Sequence, residues 1–345
     1  MIYRLLILVG IGAALESGAA AQLGNPLARG EALLKQGDVA GALAAFSAAV
    51  KSTPKDPRPY YQRGVCHERQ RAVGPAMDDY RAALRLQPDF AEANNNLGAL
   101  LHEQGKHAEA WKLLRQAVKS KPDYGEAWYN LGLVLYELQR YGDAAKAYNR
   151  AARHRPRDVD VRINLGAALR KVNDLDGAVR QLRMAVQLKP ADAMARYNYG
   201  CLLEEQRKGK LAQVELRQAV KLDPKYSRAW WRLGLALARD GQHAEAVQSI
   251  RRAIGLSPRS AVLYGDLGKV YRKWDKLPQA LAEYRKALQI DPTYTKAYLL
   301  IGMAQASRSD CKAARKSFET FVARQKGLPA GTLADLMKRC PPKQK

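Results

Sequence analysis

Residues 127–156, AWYNLGLVLYELQRYGDAAKAYNRAARHRP, read as a helix, a break and a second helix. Two features of the stretch need a physical cause. Small residues (Gly132, Ala144, Ala151) stand where a core would want large ones, and a carboxamide, Asn130, sits among aromatic and aliphatic neighbours.

The answer comes from a repeat. Pro54, Pro88, Pro122, Pro156, Pro190, Pro224, Pro258 and Pro292 are each 34 residues apart. A 34-residue frame starting at Leu23 aligns much else. Its eighth position is glycine nine times running, from Gly30 through Gly132 to Gly302. Its twentieth is alanine nine times, from Ala42 to Ala314, and its twenty-seventh is alanine from Ala49 to Ala287, then Phe321. Bulky residues recur at the fourth position (Trp128, Trp230, Tyr264, Tyr298) and the twenty-fourth (Phe46, Tyr80, Tyr148, Tyr284, Phe318). Such a period predicts a stack of two-helix units. Each proline stops a second helix, having no N–H to donate. The small residues let the two helices of a unit cross at about 8–10 Å.

The pattern resembles the tetratricopeptide repeat (TPR) family over residues 23–328. The resemblance implies an all-α fold: a right-handed α-solenoid of nine helix-turn-helix repeats starting at 23, 57, 91, 125, 159, 193, 227, 261 and 295. The ninth repeat has Lys326 in place of proline, as a terminal unit would. In the first repeat Pro26 is placed in the first turn of its helix. A capping helix from 331 or 332 to 340 and a basic tail are expected over 329–345.

The family also implies that the first helix of every repeat lines the concave side. Positions 2, 6, 9 and 13 share one helical face. Position six holds Asn96, Asn130, Asn164 and Asn198 in successive repeats, so Asn130 is expected to point into the groove. A carboxamide both donates and accepts. Repeats about 10 Å apart would meet an extended chain, advancing about 3.3 Å per residue, at every third residue. The series is similar to the asparagine ladder of some peptide-binding TPR arrays, and each bond would add roughly 0.5–1.5 kcal/mol. The other reading is structural, since Asn-Leu-Gly is a common string in the family.

Charge changes sign along the same face. Glu92, Glu103, Glu126, Glu137 and Asp160 make the middle acidic; Arg228, Arg232, Arg239, Lys269 and Lys273 make the later part basic. Of the net charge of +25, repeats one to five carry +8 and the remainder +17. This suits a polypeptide whose acidic segment lies toward the C-terminal half; solvated helix faces are the alternative. Asn198, Arg228 and Arg232 also match two members of the carboxylate clamp of some TPR domains, but Ile163 and Ala167 occupy the first member's places and cannot serve.

The first residues bear on compartment. Arg4, an apolar run over 5–15 and Ala19-Ala20-Ala21 form the three parts of a secretory signal peptide over 1–21, with cleavage after Ala21. The run is too short to cross a bilayer, which takes about 20 residues, and no cysteine near the cleavage point offers a lipid anchor. A periplasmic or secreted protein, with no stable membrane anchor after cleavage, is expected. A disulfide between Cys311 and Cys340 would pin the cap; Cys66 and Cys201, four repeats apart, are expected as small core or groove residues.

Catalytic motifs are missing. His102-Glu103 with His107 is one residue too long for H-E-x-x-H, and no GxSxG, Walker loop or CxxC occurs. No cofactor and no metal are expected, and no enzyme. The sequence reads as an exported scaffold that binds protein or extended peptide, and family analogy points to assembly of a bacterial envelope complex. The alternative is acidic polysaccharide on the basic C-terminal half. Nucleic acid is not expected, because no base-reading pair repeats.

Overall fold

The computed structural model describes residues 25–325, 327–329 and 331–338. Every regular element among them is a helix. The chain divides into two compact units, one ending at Val172 and one beginning at Asn173. The first unit holds the pairs α1 (Pro26–Gln36) and α2 (Val39–Ser52), α3 (Pro57–Arg69) and α4 (Val73–Leu86), α5 (Ala91–Glu103) and α6 (His107–Ser120), α7 (Gly125–Glu137) and α8 (Tyr141–His154), then α9 (Val159–Lys171). The second opens with α10 (Leu175–Leu188). There follow α11 (Ala193–Glu205) and α12 (Gly209–Leu222), α13 (Ser227–Arg239) and α14 (His243–Leu256), α15 (Ala261–Lys273) and α16 (Leu277–Ile290), α17 (Lys296–Ser307) and α18 (Cys311–Arg324), and a short α19 (Thr332–Met337). Within each unit a helix packs on its partner and on the first helix of the next pair. This is the all-α, helix-turn-helix solenoid class.

The small residues do what close crossing requires. All nine alanines at position 20 have no exposed surface, and those at position 27 are buried equally. A Cβ on Gly132 would stand 2.5 Å from Cε1 of Tyr148, the position-24 ring of the same repeat. The same clash recurs between Gly30 and Phe46, Gly64 and Tyr80, Gly98 and Leu114, Gly200 and Leu216, and Gly234 and Ile250. In these repeats the bulky residue of the second helix thus rests on the bare backbone of the first helix.

Both turns are specified by backbone geometry. Position 15, between the paired helices, is left-handed in all nine repeats: Gly37, Gly105 and Gly241, but also Arg71, Gln139, Asn173, Arg207, Asp275 and Ser309, with φ near +60°. Three of nine are glycine, so a one-letter pattern hides this constraint. At the turn between repeats, position four of the next helix closes on the proline carbonyl. Trp128 Nε1 donates to the Pro122 carbonyl at 2.8 Å, Trp230 Nε1 to Pro224 at 3.0 Å, Asn94 Nδ2 to Pro88 at 2.9 Å and Arg196 Nε to Pro190 at 2.7 Å. Position four needs a donor on a long arm, which bulk alone does not describe. Aspartates cap several helices: Asp38 Oδ1 accepts from the Gly41 amide at 2.8 Å, and Asp158 and Asp192 act likewise.

At the chain's end α19 runs over six residues, Thr332–Met337, shorter than the helix to 340 read from sequence. Leu333, Leu336 and Met337 pack on the cluster of Ala314 and Phe318. Cys311 is disulfide-bonded. Cys340, its expected partner, lies outside the described residues, as do the expected signal peptide (1–21) and most of the basic tail. Cys66 and Cys201 are buried and in no disulfide. α1 starts at Pro26, capped by the Asn25 side chain. No helix among the described residues is long and apolar enough to cross a membrane.

The packing makes two glycines respond to substitution in opposite ways. Gly132→Ala drives a methyl into the Tyr148 ring and should lower stability by about 1–3 kcal/mol. Gly142→Ala, in α8 with open space around its Cβ, should raise it by about 0.4–1 kcal/mol. Urea unfolding followed by helical circular dichroism reads both signs.

Candidate functional site

The face of interest is built from positions 2, 5, 6, 9 and 13 of the first helices. In the first unit it contains a cleft of about 660 Å³ whose lining includes Glu31, Arg58, Tyr61, Phe90, Glu92 and Lys121. The Tyr61 and Phe90 rings meet at 5.0 Å between centroids. Lys121 pairs with Glu92 at 2.9 Å, and Arg58 with Asp56 at 2.6 Å. Glu31 and Asp89, also in the lining, are exposed and in no ion pair among the described residues.

The asparagine series is less free than a groove ladder requires. Asn130 Nδ2 donates to Oδ1 of Asn95 at 2.9 Å, and Asn164 Nδ2 donates to the Tyr129 hydroxyl at 3.0 Å. Asn96 Nδ2 donates to the Tyr80 hydroxyl at 3.2 Å, and its Oδ1 accepts from Asn95 at 3.1 Å. Asn198 bonds only its own helix, through the Met194 carbonyl at 3.0 Å. So at Asn130 and Asn164 position six is joined to position five of the preceding repeat. The register continues in the second unit with reversed chemistry: Trp231 Nε1, a donor at position five, gives its proton to Asp266 at position six, at 2.9 Å. A Tyr or Asn at position five meets a donor, and a Trp meets an acceptor. This pairing is a structural use of position six that the sequence reading did not separate from ligand binding. What remains for a ligand is Oδ1 of Asn130 and of Asn164, which accepts nothing among the described residues on side chains that are half-buried.

The charges are also redistributed. In the second unit Arg239 pairs with Glu204, Lys269 with Asp266 at 2.6 Å, and Lys273 Nζ donates to the Ala238 carbonyl at 3.0 Å. Arg232 lies over the Trp231 ring at 5.2 Å. Of the five cations expected to serve a ligand, Arg228 is exposed and in no ion pair among the described residues. In the first unit the reverse holds: Glu103, Glu126, Glu137 and Asp160 are exposed and in no ion pair among the described residues. No group of three or more His, Cys, Asp or Glu among those residues could hold a metal.

The tetratricopeptide repeat family pattern matches residues 27–88, 103–160 and 197–261, more than half of the chain. The chain belongs to the TPR family. A second TPR repeat pattern matches 75–105 and 268–307. Among curated proteins, DnaJ homolog subfamily C member 3 of Rattus norvegicus is 35% identical over 95 residues, 28% of this chain and 19% of that protein. Protein O-mannosyl-transferase TMTC1 of Homo sapiens is 34% identical over 73 residues, 20% of this chain and 8% of its own length. The TPR likeness therefore spans a fifth or less of these relatives. Among solved structures, YrrB, described as a TPR protein with an unusual peptide-binding site, is 25% identical with a TM-score of 0.50, covering 54% of this chain and 95% of YrrB. A TPR protein of Parabacteroides merdae shares the fold at a TM-score of 0.57 and 17% identity, over 72% of this chain and 98% of that one. The TPR fold is that of a scaffold for protein–protein contact.

Two outcomes test this geometry. Asn95 is 1% exposed, so Asn130→Ala strips a buried carbonyl oxygen of its donor and should cost about 1–3 kcal/mol. Asn198→Ala should stay within about 0.5 kcal/mol of the parent; equal losses would contradict the pairing. Separately, burial and then the Glu92 carboxylate push the Tyr61 phenol up to about 12, and burial and then Tyr197 push Tyr226 up to about 12. Unfolded tyrosine ionises near about 10. The neutral folded phenols therefore hold their full stability below about pH 10 and lose it as pH climbs toward about 12. Urea midpoints measured from pH 8 to pH 12 should fall above about 10, less steeply in Tyr61→Phe.

Proposed function

We propose that this TPR protein is an exported scaffold that holds an extended protein segment along the first-helix face. The observation that carries the reading is the set of exposed carboxylates on the first helices of the first unit (Glu103, Glu126, Glu137, Asp160), in no ion pair among the described residues, together with the Tyr61–Phe90 cleft of the same unit. Exposed carboxylates that no internal cation neutralises attract a basic stretch of the ligand. The free Oδ1 atoms of Asn130 and Asn164 would accept from ligand backbone amides, whatever its side chains. Arg228 of the second unit, in no ion pair among the described residues, would draw an acidic residue or a chain-terminal carboxylate. The peptide-binding description of YrrB supports a peptide occupant. Export rests on the three-part pattern in residues 1–21, and a bacterial envelope complex is the assembly it would serve.

Asn130 also supports the fold, so its removal is a poor probe of binding. Glu126→Lys with Asp160→Lys changes exposed groups that no ion pair holds. Envelope extract passed over the immobilised protein should yield a partner that this double variant loses, with its urea midpoint unchanged. The same partner kept at full yield removes the first-helix face as the binding element. Amino-terminal sequencing of the exported form should start at Gln22. The polysaccharide alternative is favoured instead if an alginate column retains the protein, 0.5 M salt releases it, and Arg228→Glu abolishes retention.

A further inference from the structure

The turn joining α5 and α6 carries two histidines that neither the repeat pattern nor the peptide-binding reading uses. His102 lies in the last turn of α5, and His107 is the first residue of α6. Their Nδ1 atoms are 3.1 Å apart, with ring centroids at 5.1 Å. The turn between them is fixed: Gly105 is left-handed at φ +75°, its amide donates to the His102 carbonyl at 2.9 Å, and the Lys106 amide donates to Leu101 at 2.9 Å. The Gln104 side chain reaches back to Met77 Sδ at 3.1 Å, tying the turn to the preceding repeat.

That spacing matches a chelate. Two metal–imidazole bonds of about 2.0–2.1 Å meeting at 90–110° set their nitrogens about 2.9–3.4 Å apart. Both rings are half-buried, so neither is enclosed by the core. Burial and then the neighbouring His107 hold the His102 imidazole below its ordinary value, against the smaller opposing pull of the Glu137 and Glu103 carboxylates. Hard ions such as Mg²⁺ and Ca²⁺ prefer oxygen cages, whereas imidazole suits late first-row ions. We propose that His102 and His107 form a two-imidazole site for a divalent late first-row transition ion, of the Ni²⁺, Cu²⁺ or Zn²⁺ class. Among the described residues no third His, Cys, Asp or Glu completes a closed cage. Water therefore fills the remaining positions, and the ion acts as an exchangeable clip across one helix pair of the first unit rather than as a requirement for folding.

Ni²⁺ is the probe, on purified protein without an oligohistidine tag, by titration calorimetry at pH 7.5. The parent should take up one Ni²⁺ per chain, and its thermal midpoint should rise with added Ni²⁺. His102→Gln and His107→Gln, singly, should each weaken uptake by about tenfold or more and abolish the thermal shift, with helical content unchanged. His154→Gln, at the end of α8, should bind as the parent does. Equal uptake by the parent and the double variant, or no uptake by the parent at submillimolar Ni²⁺, overturns the site and leaves the pair an imidazole–imidazole hydrogen bond. A variant that loses helical content is replaced by His107→Asn, read in the same two ways.

Discussion

The fold depends on one contact repeated in nearly every repeat: a bulky position-24 side chain resting on the bare backbone of a position-8 glycine. Tyr148 on Gly132 is the type, with no room for even a methyl between them. The alanines at positions 20 and 27 flank this contact and are buried completely. Glycine inside a helix costs about 1 kcal/mol against alanine, and that loss is offset because the crossing seats a whole aromatic or leucine side chain. Since each pair buries only one face of itself, the remaining apolar surface must go to the next pair. That is why a stack, and not an isolated hairpin, is the stable object.

The stack is held in register by polar contacts that leave only a faint trace in the letters. Position six reaches back to position five of the previous repeat, and the two positions change together: Asn130 with Asn95, Asn164 with Tyr129, Asp266 with Trp231. Donor faces acceptor at each step, though the residue types differ. Buried polar groups with partners at one geometry only make a slipped stack costly. This is a reason for carboxamides on the first-helix face that does not invoke any ligand.

The fold was legible because its determinants are residue identities at a fixed period: proline, glycine and alanine each have one physical reason to be where they are. Other determinants are conformations or pairings. The left-handed residue at position 15 is glycine at Gly37 but arginine at Arg71 and glutamine at Gln139, so no letter marks it. Position four looked like bulk, and its use is to carry a donor to the proline carbonyl, which Trp128, Asn94 and Arg196 all do. The candidate site was legible only as a face. Which of its charges are available depends on neighbours one repeat away, as with Arg239 and Glu204, and a single-repeat pattern carries no such information.

Those neighbours change what the net charge of +25 means. The cations of the second unit's first helices are largely spent on Glu204, Asp266 and a backbone carbonyl. The excess stands on the second helices instead, where Lys112, Lys119, Arg150, Arg252 and Arg285 are all exposed. Like charges on those faces repel other copies and keep the array soluble. The exposed carboxylates Glu126 and Asp160 lie on first helices. In the first unit α5 and α7 are net acidic and their partners α6 and α8 net basic, so overall basicity is no guide to the ligand of those first helices. For a basic segment, attraction at α5 and α7 combines with repulsion at α6 and α8, so electrostatics alone would favour one face of these pairs over the other.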